Sequence, residues 1–203
     1  DPGPQIPARS GGREAGGVEI VTAMSKRVLC IITNGFEEIE TVAPVDLLRR
    51  AGAEVVVATI AEGIHVTGRC AITMHADAQL DDVKDQHFDL LLIPGGPHVA
   101  ALRADGRTAE LARAYAAAGK PVAAICAAPT VLKDAGLLEG SRFTSHVGVS
   151  DELPARIADE RVIEDRGIIT SMGAATSVEF GLRLILVLFD QAKVVEVSRG
   201  IMA

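Results

Sequence analysis

From Arg27 onward the apolar positions fall into short unbroken runs separated by stretches of helical period. Val28-Leu29-Cys30-Ile31-Ile32 is apolar throughout, the pattern of a strand covered on both faces. Further strands are predicted at Glu54 to Ile60, Leu90 to Ile93, Val122 to Ile125, Arg142 to Val147, Arg161 to Glu164 and Ile168 to Ser171. A short extended piece from Arg69 to Met74 reads as a hairpin or an edge strand. Helical spacing covers Glu37 to Arg50, with Ile39, Val42, Ala43 and Leu47 on one face, Pro44 inside it and Gly52 as the stop. It returns at Thr108 to Ala118, Ala127 to Ala135, Ala175 to Asp190 and Gln191 to Ile201. Strand and helix alternate, so the class is α/β with a mostly parallel sheet.

Residues 1 to 23 break this pattern. They hold Pro2, Pro4 and Pro7 with five glycines and no apolar periodicity, and read as a leader or disordered extension before Met24. The remaining 24–203 is sized for one domain with a substantial core. A net charge of −7 without a Lys/Arg cluster argues against nucleic acid and anionic lipid as partners. The longest apolar stretch, Val178 to Phe189, carries Glu179 and Arg183 and is too short to span a bilayer, so it reads as a core or interface helix. Cys30, Cys70 and Cys126 are odd in number and lack metal-type spacing. They predict neither a disulfide framework nor a zinc site, and they fit a reducing, cytoplasmic setting.

Ligands of an open parallel sheet bind beyond the carboxyl ends of its strands. Three unusual segments fall there: Glu37-Glu38-Ile39-Glu40 after the first strand, Pro94-Gly95-Gly96-Pro97 after a later one, and Cys126 between a strand and a helix. A cysteine on such an elbow faces the first amides of the next helix, which favour a nucleophilic thiolate. The alternative is a small buried core cysteine. Cys30, inside a strand, is expected to be inert, and Cys70 lacks an evident base. A carboxyl at the same crevice serves as general acid or base when burial raises its pKa, and Glu40 is the candidate. Spacing alone does not choose it over Glu37 and Glu38, which suit a helix first turn. His146 is placed to orient the thiolate or relay a proton, or to serve only the structure.

Four separated motifs then agree in order: Asn34-Gly35-Phe36-Glu37-Glu38-Ile39-Glu40-Thr41, Ile93-Pro94-Gly95-Gly96, Ala123-Ala124-Ile125-Cys126-Ala127-Ala128-Pro129-Thr130 and Thr144-Ser145-His146. Together they resemble the DJ-1 branch of the PfpI superfamily, over about Ser25 to the C-terminus. The resemblance implies a flavodoxin-like three-layer sandwich with helices on both faces, and a homodimer. It implies Cys126 as nucleophile and oxidation-sensitive thiol, and Glu40 as its protonated carboxyl partner. Gly96 and Ala127 would supply oxyanion amides, His146 would match the family's nearby histidine, and Gly95 and Arg69 would bind substrate, Arg69 from across the dimer. The peptidase branch carries a histidine where Ala127 stands here, which argues against peptidase activity. Gly173-Ala174 replaces the Gly-Pro common among relatives and is expected to alter the pocket wall.

The function so implied is a cofactor-independent glyoxalase, or protein deglycase, acting on methylglyoxal, glyoxal or glycated protein side chains without metal. A different reading uses the same thiol: an oxidative-stress sensor or redox-regulated chaperone in which Cys126 is oxidised and Glu40 holds the product. A third is a structural homodimer with a buried thiol.

Overall fold

The computed structural model describes residues 25–203; the leader read at 1–23 and the start at Met24 lie outside them. Its centre is β1 (Arg27–Ile32), whose residues alternate between two buried faces: Val28, Cys30 and Ile32 point one way, Leu29 and Ile31 the other. β6 (Leu90–Ile93) and β7 (Val122–Ile125) repeat this two-sided burial. Such strands need a layer on each side, and the chain supplies both.

The seven-stranded sheet runs β5-β2-β1-β6-β7-β9-β8, with β2 at Glu54–Thr59, β5 at Ala78–Gln79, β8 at Val162–Asp165 and β9 at Ile168–Ser171. All pairings are parallel except β8 with β9. One face is covered by α1 (Glu38–Arg50), α6 (Ser177–Leu188) and α7 (Gln191–Ile201), through Leu47, Leu48, Phe180, Leu184, Ile185 and Val197. The other is covered by α2 (Leu80–Val83), α3 (Val99–Asp105), α4 (Arg107–Ala117) and α5 (Pro129–Asp134), through Leu80, Leu102, Ala112, Tyr115, Val131 and Leu132. This is the expected three-layer α/β sandwich. A separate hairpin, β3 (His65–Thr67) with β4 (Thr73–His75), takes in the piece expected at Arg69 to Met74 as a hairpin or an edge strand; the first half of that piece is the hairpin tip, and Thr73 and Met74 lie in β4.

One expectation is corrected. No strand forms at 142–147. The far edge of β9 is occupied by β8, so this segment is held by single bonds instead: Thr144 N–H donates to Thr170 Oγ1 and its hydroxyl to the Ile157 carbonyl. The apolar stripe of α1 is only partly buried. Glu40, Thr41, Pro44, Val45, Leu47 and Leu48 are buried, while Ile39 and Val42 are 55% and 51% exposed. β5, α2 and α3 carry too few residues to register as periodic segments.

α1 packs closely on α6 because Gly181 has no side chain. A Cβ there would lie 2.6 Å from Leu47 Cδ1 and 3.2 Å from Pro44 Cα. Gly181→Val is expected to separate the two helices and cost about 1–3 kcal/mol by overpacking, read as a lower urea midpoint without loss of helical circular dichroism.

Candidate active site

The strand order makes the site. β1, β6 and β7 are consecutive neighbours in the sheet, so the loops that leave their carboxyl ends meet. Cys126, first residue after β7, has φ +65°, a left-handed conformation that non-glycine residues seldom adopt. Its N–H donates to the Ser171 carbonyl and its own carbonyl accepts from His146 N–H, at 2.9 and 2.8 Å. These two bonds hold the strained elbow and leave the half-buried thiol turned toward α1. The amides of Gly96 and Ala127 both reach its sulfur.

Glu40 lies in the first turn of α1, 1% exposed, and shares a hydrogen bond with the Cys126 thiol. Its Oε2 accepts from Gly95 N–H at 3.0 Å. Gly95 is required by space. A Cβ there would fall 2.5 Å from Cys126 Cβ and as close to the Glu40 carboxyl. Gly96 is required by conformation as well, with φ +106° and the Glu37 amide 2.6 Å from where its Cβ would stand. Glu37 caps α1, its carboxylate accepting Glu40 N–H at 2.7 Å, and Glu38 Oε1 accepts Cys70 N–H at 2.7 Å. Only Glu40, of the three acids, faces the thiol.

Burial pushes the Glu40 carboxyl up to about 7; the Cys126 hydrogen bond, the Gly95 amide and the Arg69 charge oppose this, and the Glu37 charge adds to it. Burial and the Glu40 charge push the Cys126 thiol up to about 12, against the Ala127 and Gly96 amides. The elbow thiol is therefore not the independently depressed acid that its helix-start position suggests. Their hydrogen bond couples the two groups, so they titrate as a pair and not as independent acids. Transfer of the thiol's proton to Glu40 would leave a thiolate facing two amides.

The other expected residues stand around this pair. His146 is exposed, and its Nδ1 accepts Gly148 N–H at 2.9 Å, which leaves Nε2 to carry the proton of the neutral ring. Gly173 lies between His146 and Glu40: a Cβ there would sit 3.5 Å from His146 Cδ2 and 3.7 Å from Glu40 Oε1. Beside them opens a cavity of about 300 Å³ lined by His146, Arg161, Met172, Gly173, Ala174 and Ala175. The exposed Arg69 is anchored by its own N–H to the Phe36 carbonyl, and its charge reaches Glu40. Cys30 is fully buried, and burial drives its thiol far above the ordinary range.

His98 was not singled out in the sequence. It is 1% exposed, its Nδ1 accepts Thr33 N–H at 3.2 Å, and its Nε2–H donates to the Pro94 carbonyl at 2.9 Å. It thereby staples the loop after β1 to the loop after β6. Its position directly after Pro94-Gly95-Gly96-Pro97 was the available signal.

A parallel α/β sandwich with a cysteine on a strained strand-to-helix elbow, partnered by a buried carboxyl, defines a class of thiol-dependent proteins. The chain belongs to the DJ-1/PfpI family, whose model matches residues 26–186. It is 35% identical over 183 residues to Protein dj-1beta of Drosophila melanogaster, covering 88% of this chain and 98% of that one. The crystal structure of that fly protein superposes with a TM-score of 0.84 at 34% identity, covering 89% of this chain and 99% of that chain. Identity to Protein DJ-1 homolog A of Arabidopsis thaliana is 35% over 177 residues, 86% of this chain but only 45% of the plant protein. Deglycase PfpI of Pyrococcus furiosus is 35% identical over 127 residues, 63% of this chain and 76% of the archaeal one.

Two of the displaced groups, Glu40 and His98, set a pH signature between pH 4.5 and 6.5. Glu40 rises from 4.5 to about 7, so its contribution to stability is full below 4.5 and is lost as pH climbs to 7. His98 is lowered by burial from 6.5 to about 4, so its contribution is full above 6.5 and is lost as pH falls to 4. Each is worth on the order of 3 kcal/mol, and the slopes oppose each other. Stability should therefore be nearly flat between pH 4.5 and 6.5 in the unaltered chain. Glu40→Gln should leave a stability that rises with pH, and His98→Gln one that falls, in urea titrations at stepped pH.

Proposed function

We propose that this chain is a cofactor-independent glyoxalase of the deglycase type, acting on methylglyoxal, glyoxal or the adducts they form on protein side chains. The observation that carries the reading is the hydrogen bond between the Cys126 thiol and the buried Glu40 carboxyl, with the Gly96 and Ala127 amides at the sulfur. The Cys126 thiolate adds to the aldehyde carbon, and the two amides receive the oxyanion of the hemithioacetal. Glu40 hands the thiol's proton to that oxyanion, and the carboxylate so freed carries a proton from the first carbon to the second through an enediol, which converts the hemithioacetal to a thioester. Water then cleaves the thioester to lactate and restores the thiol. Gly95 keeps the space at the thiol open, His146 lines the approach and Arg69 supplies positive charge. The deglycase name of the archaeal relative supports the same substrate class.

The exposed side of α1 supports a homodimer. Ile39, Val42, Ala43 and Ile72 line a shallow apolar groove of about 500 Å³. Ile72 at 59% and Val178 at 44% exposure extend the patch beyond what isolated surface residues explain. Three unpaired thiols fit a cytoplasmic setting. Among the described residues no helix is long and apolar enough to cross a membrane.

Purified protein without glutathione or added metal is expected to turn methylglyoxal into lactate over many cycles. Cys126→Ala should reduce this to background, and Glu40→Gln should lower kcat by about 10²- to 10⁴-fold. If the unaltered chain consumes no more than one equivalent through its thiol, the catalytic reading fails and oxidation of Cys126 as a sensor becomes the better account. In sedimentation velocity the unaltered chain should run as a dimer and Val42→Asp as a monomer; a monomeric unaltered chain would sink the dimer.

A further inference from the structure

Five histidines occur in the chain, and two of them face each other well away from Cys126. His65 on β3 is the direct cross-strand partner of His75 on β4, and their ring centroids are 4.3 Å apart at a tilt of 58°. Both side chains are exposed. Thr67 N–H leaves the hairpin to donate to Asn34 Oδ1, so the Thr67–Thr73 pair is of the type without mutual backbone bonds. Two residues along, His65–His75 is of the same type, the one in which side chains approach most closely. The Thr67 and Thr73 hydroxyls, 2.8 Å apart on that face, display this closeness.

The backbone beneath the pair is held firmly. Val66, between the strands' exposed positions, is fully buried, and Met74 opposite it packs on the same core. Gly68 N–H donates to the Ile72 carbonyl beyond one end of the ladder, and Ala76 N–H to the Ile64 carbonyl beyond the other. Two imidazoles are thus presented side by side on a fixed support, so little ordering remains to be done when a ligand binds both. Imidazole nitrogens suit zinc, nickel and copper(II).

We propose that His65 and His75 form a two-imidazole chelate for a late first-row divalent cation. Each ring gives one nitrogen lone pair to the metal and water fills the remaining positions; no electron transfer is involved. Among the described residues no group of three or more His, Cys, Asp or Glu side chains is arranged around a metal position, so the chelate rests on these two rings alone. The hairpin also carries Thr67, Arg69 and Cys70, whose backbone bonds reach Gly35, Phe36 and Glu38. A metal that clamps the two strands therefore stiffens an element joined to the start of α1, whose first turn carries Glu40.

Nickel(II) is the probe, because it favours imidazole and does not oxidise thiols under these conditions. Calorimetric titration of the full chain to on the order of 1 mM nickel should show one equivalent bound per chain. His65→Gln and His75→Gln should each weaken it by more than about tenfold, since loss of even an outer-sphere partner commonly costs that much. Cys70→Ser, Cys126→Ala and His87→Gln should bind as the unaltered chain does. The melting midpoint should rise with nickel in the unaltered chain and stay put in either His65 or His75 variant, while without metal all three melt alike. Absence of saturable binding overturns the proposal, as does binding that survives both histidine variants or is lost with Cys70→Ser. None of these readouts uses dicarbonyl turnover, so the glyoxalase reading and this one fail separately.

Discussion

Two groups that each resist ionisation when buried, a thiol and a carboxyl, are placed against each other at the carboxyl end of the central strands. Neither can lose its proton cheaply alone. Their hydrogen bond gives the proton a path between them, and the backbone amides around them stabilise charge on either group: Gly95 serves Glu40, while Gly96 and Ala127 serve the sulfur. The left-handed backbone at Cys126 and the missing side chain at Gly95 are the costs of bringing the groups into contact.

Holding that contact requires loops that do not drift, and the fold meets this by tying each loop to the next. Glu37 N–H donates to the Gly95 carbonyl, His98 joins Thr33 to Pro94, and the hairpin tip is bound through Arg69 and Cys70 to the start of α1. His98 is buried and neutral for the same reason that Glu40 is: a charge at that depth loses its hydration without an adequate counter-charge. The opposing pH slopes of an acid and a base in one loop cluster are a by-product of burying both.

α1 shows how local pattern and tertiary demand diverge. Ile39, Val42, Ala43 and Leu47 make a plausible inward stripe, yet the helix turns so that Glu40, Thr41 and Pro44 face inward. Glu40 must reach the thiol, and the close approach at Gly181 accepts the Pro44 and Leu47 side. The apolar residues displaced outward, Ile39 and Val42, line the exposed apolar groove. In this helix the buried acid and the exposed groove are set by the same rotation.

The sequence by itself determined the α/β class, the strands buried on both faces, the elbow at Cys126 and the glycines beside it, because unbroken apolar runs and glycine-bearing turns are local signals of burial and backbone conformation. It also carried four ordered motifs sufficient to mark the family. Local spacing left open which acid meets the thiol, since Glu37, Glu38 and Glu40 differ only in the direction they take from one helix turn; the motif resemblance pointed to Glu40, and the tertiary structure puts that carboxyl against the sulfur. The tertiary structure alone decided that 142–147 is not a strand, because that depends on β8 having taken the edge of β9. The roles of His98 and the meeting of His65 with His75 were equally hidden, as both depend on contacts between segments that no local pattern encodes.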